Sequence, residues 1–247
     1  MKYTKNPNLP LGSVAAVVIS NRISQESIDT LSKYNISVIT TKDVCSVDCN
    51  IAHHADIAIT HMGDNNFVCE ESVLKYYKQH LPNANICSGN KLSKKYPGDI
   101  SYNSAIFGKY IICKKESTDK KILEYAEKEG LILIDTKQGY SKCNVCIINE
   151  KACITSDKDI YNKCRLYGID VLFTDDSRIG IDGYNQGFLG GASGKISHDK
   201  LVVNGNINTH VNATEIISFA RKYGVEVISL NNSNILDIGS ILPVFEK

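Results

Sequence analysis

Four segments of the chain follow one local pattern: a helical stretch, a residue that tolerates a left-handed turn, then a short β-branched strand. They are residues 30–40 (TLSKYNISVIT), 126–135 (AEKEGLILID), 163–173 (KCRLYGIDVLF) and 220–230 (ARKYGVEVISL). The turn residues are Asn35, Gly130, Gly168 and Gly224, types that accept the left-handed end of a helix at least cost. A supersecondary unit that recurs constrains the architecture before any motif does, because one unit cannot bury its apolar face alone.

Leading strands are expected near residues 14, 56, 104, 144 and 191, a spacing of roughly 40 to 48 that suits a repeat architecture. Each unit reads strand–strand–helix–strand, with hairpin turns at 108–109, 149–150 and 198–199. The pattern divides one domain, 1–247, into units of about 13–45, 55–90, 100–137, 143–178 and 188–231, strands of period 2 packing against helices of period 3.6. The first unit is one strand short, because Asn21 and Arg22 run almost straight into its helix. The tail, 235–245, reads as one further strand with no helix after it. Placed beside the first unit, it would supply the missing strand and remove an exposed sheet edge. Expected details include an inner face of Ile28 and Leu31 on the first helix, a strand over residues 56–60, and Ser117 or Thr118 capping the third helix.

Composition removes several classes of function. Twenty-eight Lys and Arg against 27 Asp and Glu leave a net charge of +1, and no basic cluster suits a phosphate backbone or an anionic membrane. No apolar run approaches the roughly 18 residues of a membrane span. The first twelve residues have no apolar core of a secretory signal, so the expected location is cytoplasmic. Nine cysteines, an odd number, then read as reduced thiols and mostly small core hydrophobes. Oligomeric state is left open.

Three local patterns bear on chemistry. The glycine-rich stretch 182–195 (DGYNQGFLGGASGK) suggests a phosphate loop, yet Leu189 and Ile196 stand where its first glycine and its hydroxyl belong. Its glycines serve close backbone approach, or bare N–H groups with Ser193 contact a ligand. Cys143 and Cys146 lack a second pair at metal-ligand spacing, so no metal is expected. Cys143, near Lys137, Gln138 and Tyr140, stands open as nucleophile, ligand-wall residue or inert core thiol. His53 or His54, followed by Asp56, has the makings of an oriented general base, on the expectation that His54 and Asp56 project to one side of an extended chain.

Five segments stand out together: 53–65 (HHADIAITHMGDN), 97–103 (PGDISYN), 137–143 (KQGYSKC), 182–195 and 237–243 (DIGSILP). With the five units, they make the chain resemble the pentein superfamily of guanidino-group-modifying enzymes, and within it an uncharacterised bacterial branch. The resemblance implies an α/β fold: a five-bladed α/β-propeller of pseudo-fivefold ββαβ repeats around a central channel, closed by the C-terminal strand. It implies that the segments before the leading strands converge on one mouth, where binding residues are expected. It also exposes a departure. Catalytic penteins carry a nucleophilic cysteine near the end of the chain, and Leu242 or Pro243 takes that place here.

The expected function is therefore a small-molecule site for a guanidino, amidino or amino-acid-like compound, with hydrolysis or transfer at a C–N bond. No cofactor is expected. The candidate catalytic residues are His54, Asp56 and Cys143. Asp56, Asp182 and Asp237 are candidate anchors for a cation. Lys137 and Asn103 are candidates to fix a carboxylate or carbonyl, with Tyr102, Tyr140, Tyr184 and Ser193 as further binding residues. The alternative is a non-catalytic pentein that senses a ligand or serves as a protein-binding scaffold.

Overall fold

The computed structural model describes residues 1–247 and is a mixed α/β fold of five small sheets. The chain opens with β1 (Lys2–Tyr3), β2 (Val14–Ile19), α1 (Gln25–Lys33) and β3 (Ser37–Thr40). A second run follows: α2 (Ala55–Ala58), β4 (Ile59–Gly63), β5 (Asn66–Cys69), α3 (Glu71–His80) and β6 (Asn85–Ser88). Next come β7 (Ala105–Phe107), β8 (Tyr110–Cys113), α4 (Lys120–Lys128) and β9 (Ile132–Asp135). Then come α5 (Ser141–Asn144), β10 (Cys146–Asn149), β11 (Ala152–Thr155), α6 (Lys158–Leu166) and β12 (Asp170–Phe173). The last are β13 (Ser193–Ser197), β14 (Lys200–Val203), α7 (Ala213–Lys222), β15 (Glu226–Ser229) and β16 (Leu242–Glu246).

In four of the sheets a hairpin pairs antiparallel and its second strand then pairs parallel with the strand that follows the helix. A parallel pair needs a crossover connection, and the helix provides it. The first sheet reaches the same pattern with a borrowed strand. β2 runs parallel to β3, and β16 lies antiparallel to β2 in the leading place, with Leu242 opposite Val18. The expected missing strand is thus supplied from the tail. Only 242–246 of that tail is strand; 235–241 is an irregular segment leading into it.

Each of the five longer helices, α1, α3, α4, α6 and α7, docks through one buried i, i+4 pair, the spacing that puts two residues on one face. The pairs are Ser27 and Leu31, Val73 and Tyr77, Ile122 and Ala126, Ile160 and Cys164, and Ile216 and Ala220. Ser27 displaces the expected Ile28 because its hydroxyl bonds Asn204 Oδ1 across the core at 3.1 Å. The four expected left-handed turn residues, Asn35, Gly130, Gly168 and Gly224, all have φ between 57° and 75°. Asp119, one residue past the expected cap, receives the Lys121 N–H at the start of α4. A strand over 56–60 was expected, but Ile57 and Ala58 N–H groups return to His54 O and wind Ala55–Ala58 into one helical turn. Cys143 likewise sits in a single turn, α5, and the leading strand expected near 144 begins at Cys146.

Candidate active site

The lead-in segments before β4, β7, β10, β13 and β16 meet, and each brings a polar group. Asp56 comes before β4, Asn103 before β7, Lys142 and Cys143 before β10, Gly190 before β13, and Asp237 and Ser240 before β16. All of these residues are buried, Gly190 contributing its backbone carbonyl. Their positions relative to the strand that follows are nearly equivalent, so the repeat itself puts at least one polar group per sheet into a common place.

The hydrogen bonds run through Asp56. Its Oδ2 accepts from Cys143 Sγ at 3.1 Å and from Ser240 Oγ at 2.5 Å. Lys142 Nζ donates to Ser240 Oγ at 2.9 Å and to the Gly190 carbonyl at 3.4 Å. Asn103 braces the thiol from the other side. Its Nδ2 donates to Cys143 Sγ at 3.1 Å, and its Oδ1 receives the Lys142 and Cys143 N–H groups. Asp237 accepts the Phe188 and Gly239 N–H groups, and its Oδ1 lies 4.0 Å from His54 Nδ1. Two polar atoms in this buried set have no partner, Asp56 Oδ1 and His54 Nε2. A buried polar atom without a partner costs free energy.

A cavity of about 240 Å³ opens on this cluster. His54, Cys143 and Asp237 form its titratable wall, and Ile51, Ile57, Ile181, Phe188, Tyr140 and Tyr184 most of the rest. Gly191 shapes the acidic side. A Cβ there would fall 2.1 Å from Asp237 Oδ1, so only glycine lets the carboxylate lie flat on the backbone. Gly191→Ala is expected to cost about 1–3 kcal/mol by overpacking and to displace Asp237. Thermal denaturation checks the first effect and ligand titration the second.

The electrostatics follow from burial. Burial, then the Asp56 charge, pushes the Asp237 carboxyl up to about 7. Burial raises Asp56 as well, while the Lys142 ammonium pulls it back down. The Cys143 thiol is driven well above its ordinary range by burial and by the Asp56 and Asp237 carboxylates. Burial, with His53 and Arg22 nearby, holds the His54 imidazole well below its ordinary range, so it is neutral near pH 7. His54, Asp56 and Cys143 also present one ligand-type atom each within 4.8 Å of one another. A soft divalent ion bound there would take the thiolate as its ligand.

Of the expected site residues, the structure brings together His54, Asp56, Asn103, Cys143 and Asp237, with Tyr140 and Tyr184 on the cavity wall. His54 and Asp56 do so from either end of a helical turn and not from an extended chain. The others fall elsewhere. Lys137 is exposed, and its N–H bonds Asp159. Asp182 is exposed and pairs with Arg22 at 3.4 Å. The Tyr102 hydroxyl is used on the Asn90 carbonyl. Ser193, the first residue of β13, bonds Cys146 Sγ away from the cavity, because its strand register faces the neighbouring sheet. The residues of the cluster and the cavity wall not foreseen are Lys142, Ser240, Gln138 and Gln186. Lys142 adjoins Cys143, the one signal in the sequence that pointed to it.

Solved structures share this fold. Inosamine-phosphate amidinotransferase from Streptomyces griseus aligns with 99% of this chain and 97% of its own, at TM-score 0.56 and 10% identity. Agmatine deiminase from C. jejuni aligns with 100% of this chain and 97% of its own, at 0.57 and 8%. A cysteine-to-serine mutant of DDAH from Pseudomonas aeruginosa, complexed with citrulline, aligns with 94% and 100%, at 0.52 and 7%. All three are pentein superfamily members, and the fold is theirs. No curated protein matches the sequence. Residues 18–242 match the group described as "Family of unknown function (DUF6873)", and the chain belongs to that family.

Proposed function

We propose that this protein acts on a guanidino or amidino group at the hub of five blades, with Cys143 as nucleophile. The pairing of β16 with β2 and the five lead-in segments meeting at one cluster support a closed ring. The observation that carries the chemistry is a thiol hydrogen-bonded to one carboxylate and facing a cavity lined by a second carboxylate and a neutral histidine. Nine free thiols suit a reducing cytosol.

Asp56 and Asp237 hold the cationic head by charged hydrogen bonds. The bound cation reverses the field at Cys143, where the carboxylates otherwise keep the proton on sulfur. Sγ then attacks the central carbon. The S–C bond forms, the C–N bond to the amine breaks, and the thiol proton leaves on the amine. Neutral His54 takes a proton from water, or from an acceptor amine, and the S–C bond breaks in turn. The first outcome is hydrolysis and the second group transfer.

The test is 2-chloroacetamidine, an amidinium that alkylates a thiol by losing chloride. It is expected to modify Cys143 alone, seen by peptide mass spectrometry, and to leave Cys143→Ser unmodified at that position. Exposed Cys45 and Cys49 are the internal controls. Alkylation there with Cys143 untouched sinks the nucleophile. The raised thiol favours one other reading, a sensor that binds without turnover. Saturable guanidine binding without alkylation of Cys143 would identify it.

A further inference from the structure

The cavity wall contains two carboxamides, Gln138 and Gln186, but no lysine or arginine. The nearest buried ammonium in sequence, Lys142, is turned away onto Ser240 and Gly190. Arg22, beyond the wall, is committed to Asp182 and to the Cys49 carbonyl. The middle of the cavity is apolar, with Ile51, Ile57, Ile181 and Phe188. Acids stand behind the outer side, beyond the residues that line it. Tyr184, on the wall and 45% exposed, has its phenol pushed up by burial and then by Asp48 and Asp99. Asp99 itself receives the hydroxyl of wall residue Tyr140 and keeps one oxygen unpartnered.

A ligand whose cationic head meets Asp56 and Asp237 extends its tail along that apolar middle toward those acids. A carboxylate at the far end would find no cation on the wall to meet it, and would face like charge. We infer that the site selects guanidines or amidines with a short apolar spacer and an uncharged or cationic far end, and rejects the amino-acid-like ones. This rests on the reading of the site as a holder of a guanidinium or amidinium head. It separates ligands by a feature remote from the reacting carbon, so the discrimination is a matter of binding and not of chemistry.

The experiment compares butylguanidine with 4-guanidinobutanoate, which differ at the tail. Calorimetric Kd values are taken with Cys143→Ser, so that neither compound is consumed. Butylguanidine is expected to bind about 100-fold tighter. Gln186→Lys, which sets an ammonium at the exposed side of the wall, is expected to recover at least about tenfold for the carboxylate compound and nothing for the alkyl one. Equal affinities overturn the inference while leaving the cation site standing. Failure of both compounds to bind overturns the cation site and the inference with it.

Discussion

Asp56→Ala is expected to cost about 3–5 kcal/mol of folding stability, the usual penalty for stranding one member of a buried charge pair. Lys142 would keep the Ser240 hydroxyl and the Gly190 carbonyl but lose the negative charge beyond them. Lys142→Met strands Asp56 in the opposite sense, next to Asp237. The double variant Asp56→Ala/Lys142→Met removes both charges and is expected to be less destabilised than the two single losses summed, by about 1–3 kcal/mol. Urea denaturation of the four proteins measures this. Additivity within about 0.5 kcal/mol would show that the two charges do not sense each other through Ser240. The same series separates stability from function, because the double variant is expected to fold and yet bind no guanidinium.

Guanidinium affinity is expected to rise with pH and then level off. In the free protein Asp237 titrates near 7, and a bound cation favours its ionised form. Binding below that pH therefore expels a proton, and each unit of pH lost is expected to cost up to about tenfold in Kd. The groups facing Asp237 decide whether this slope belongs to it. Burial holds His54 well below its ordinary range, and Asp56 is raised in the same direction as Asp237 and steepens the slope. Calorimetry from pH 5.5 to 8.5, in buffers of different ionisation enthalpy, reads both the affinity and the protons released. A flat profile would mean that Asp237 does not meet the ligand. Without ligand the sign reverses. A carboxyl whose folded pKa lies above its unfolded value stabilises the fold at low pH, and that contribution fades as pH rises through about 7. Ligand should thus raise the melting temperature most on the alkaline side.

Local rules made the repeat legible. Left-handed residues after four helices, β-branched strands behind them and a first unit short by one strand led to the five sheets and to the placement of β16. Four-residue helices were invisible, because α2 and α5 are too short to show any period, and both fall where chemistry-bearing residues lie. The acids, the histidine and the cysteine could be found from residue type in the lead-in segments. Lys142 and Ser240 could not. A lysine in a polar run reads as solvated, and only contact with segments 48 and 98 residues away makes it a buried partner. Lys137 was the more plausible choice on sequence and is exposed. Tyr102 and Ser193 failed for a subtler reason: their segments lie beside the cluster, but their hydroxyls are spent on Asn90 and Cys146.

One group from each of five sheets, with Asp237 and Ser240 arriving only after the last helix, ties competence to completeness. A nascent chain holding the first four units has its cysteine, histidine and one acid, but it has neither the second acid nor the hydroxyl that links Lys142 to Asp56. On the proposed function, partially synthesised or clipped molecules would therefore lack half of the cation site, and the cluster is complete only when residues 237–246 dock.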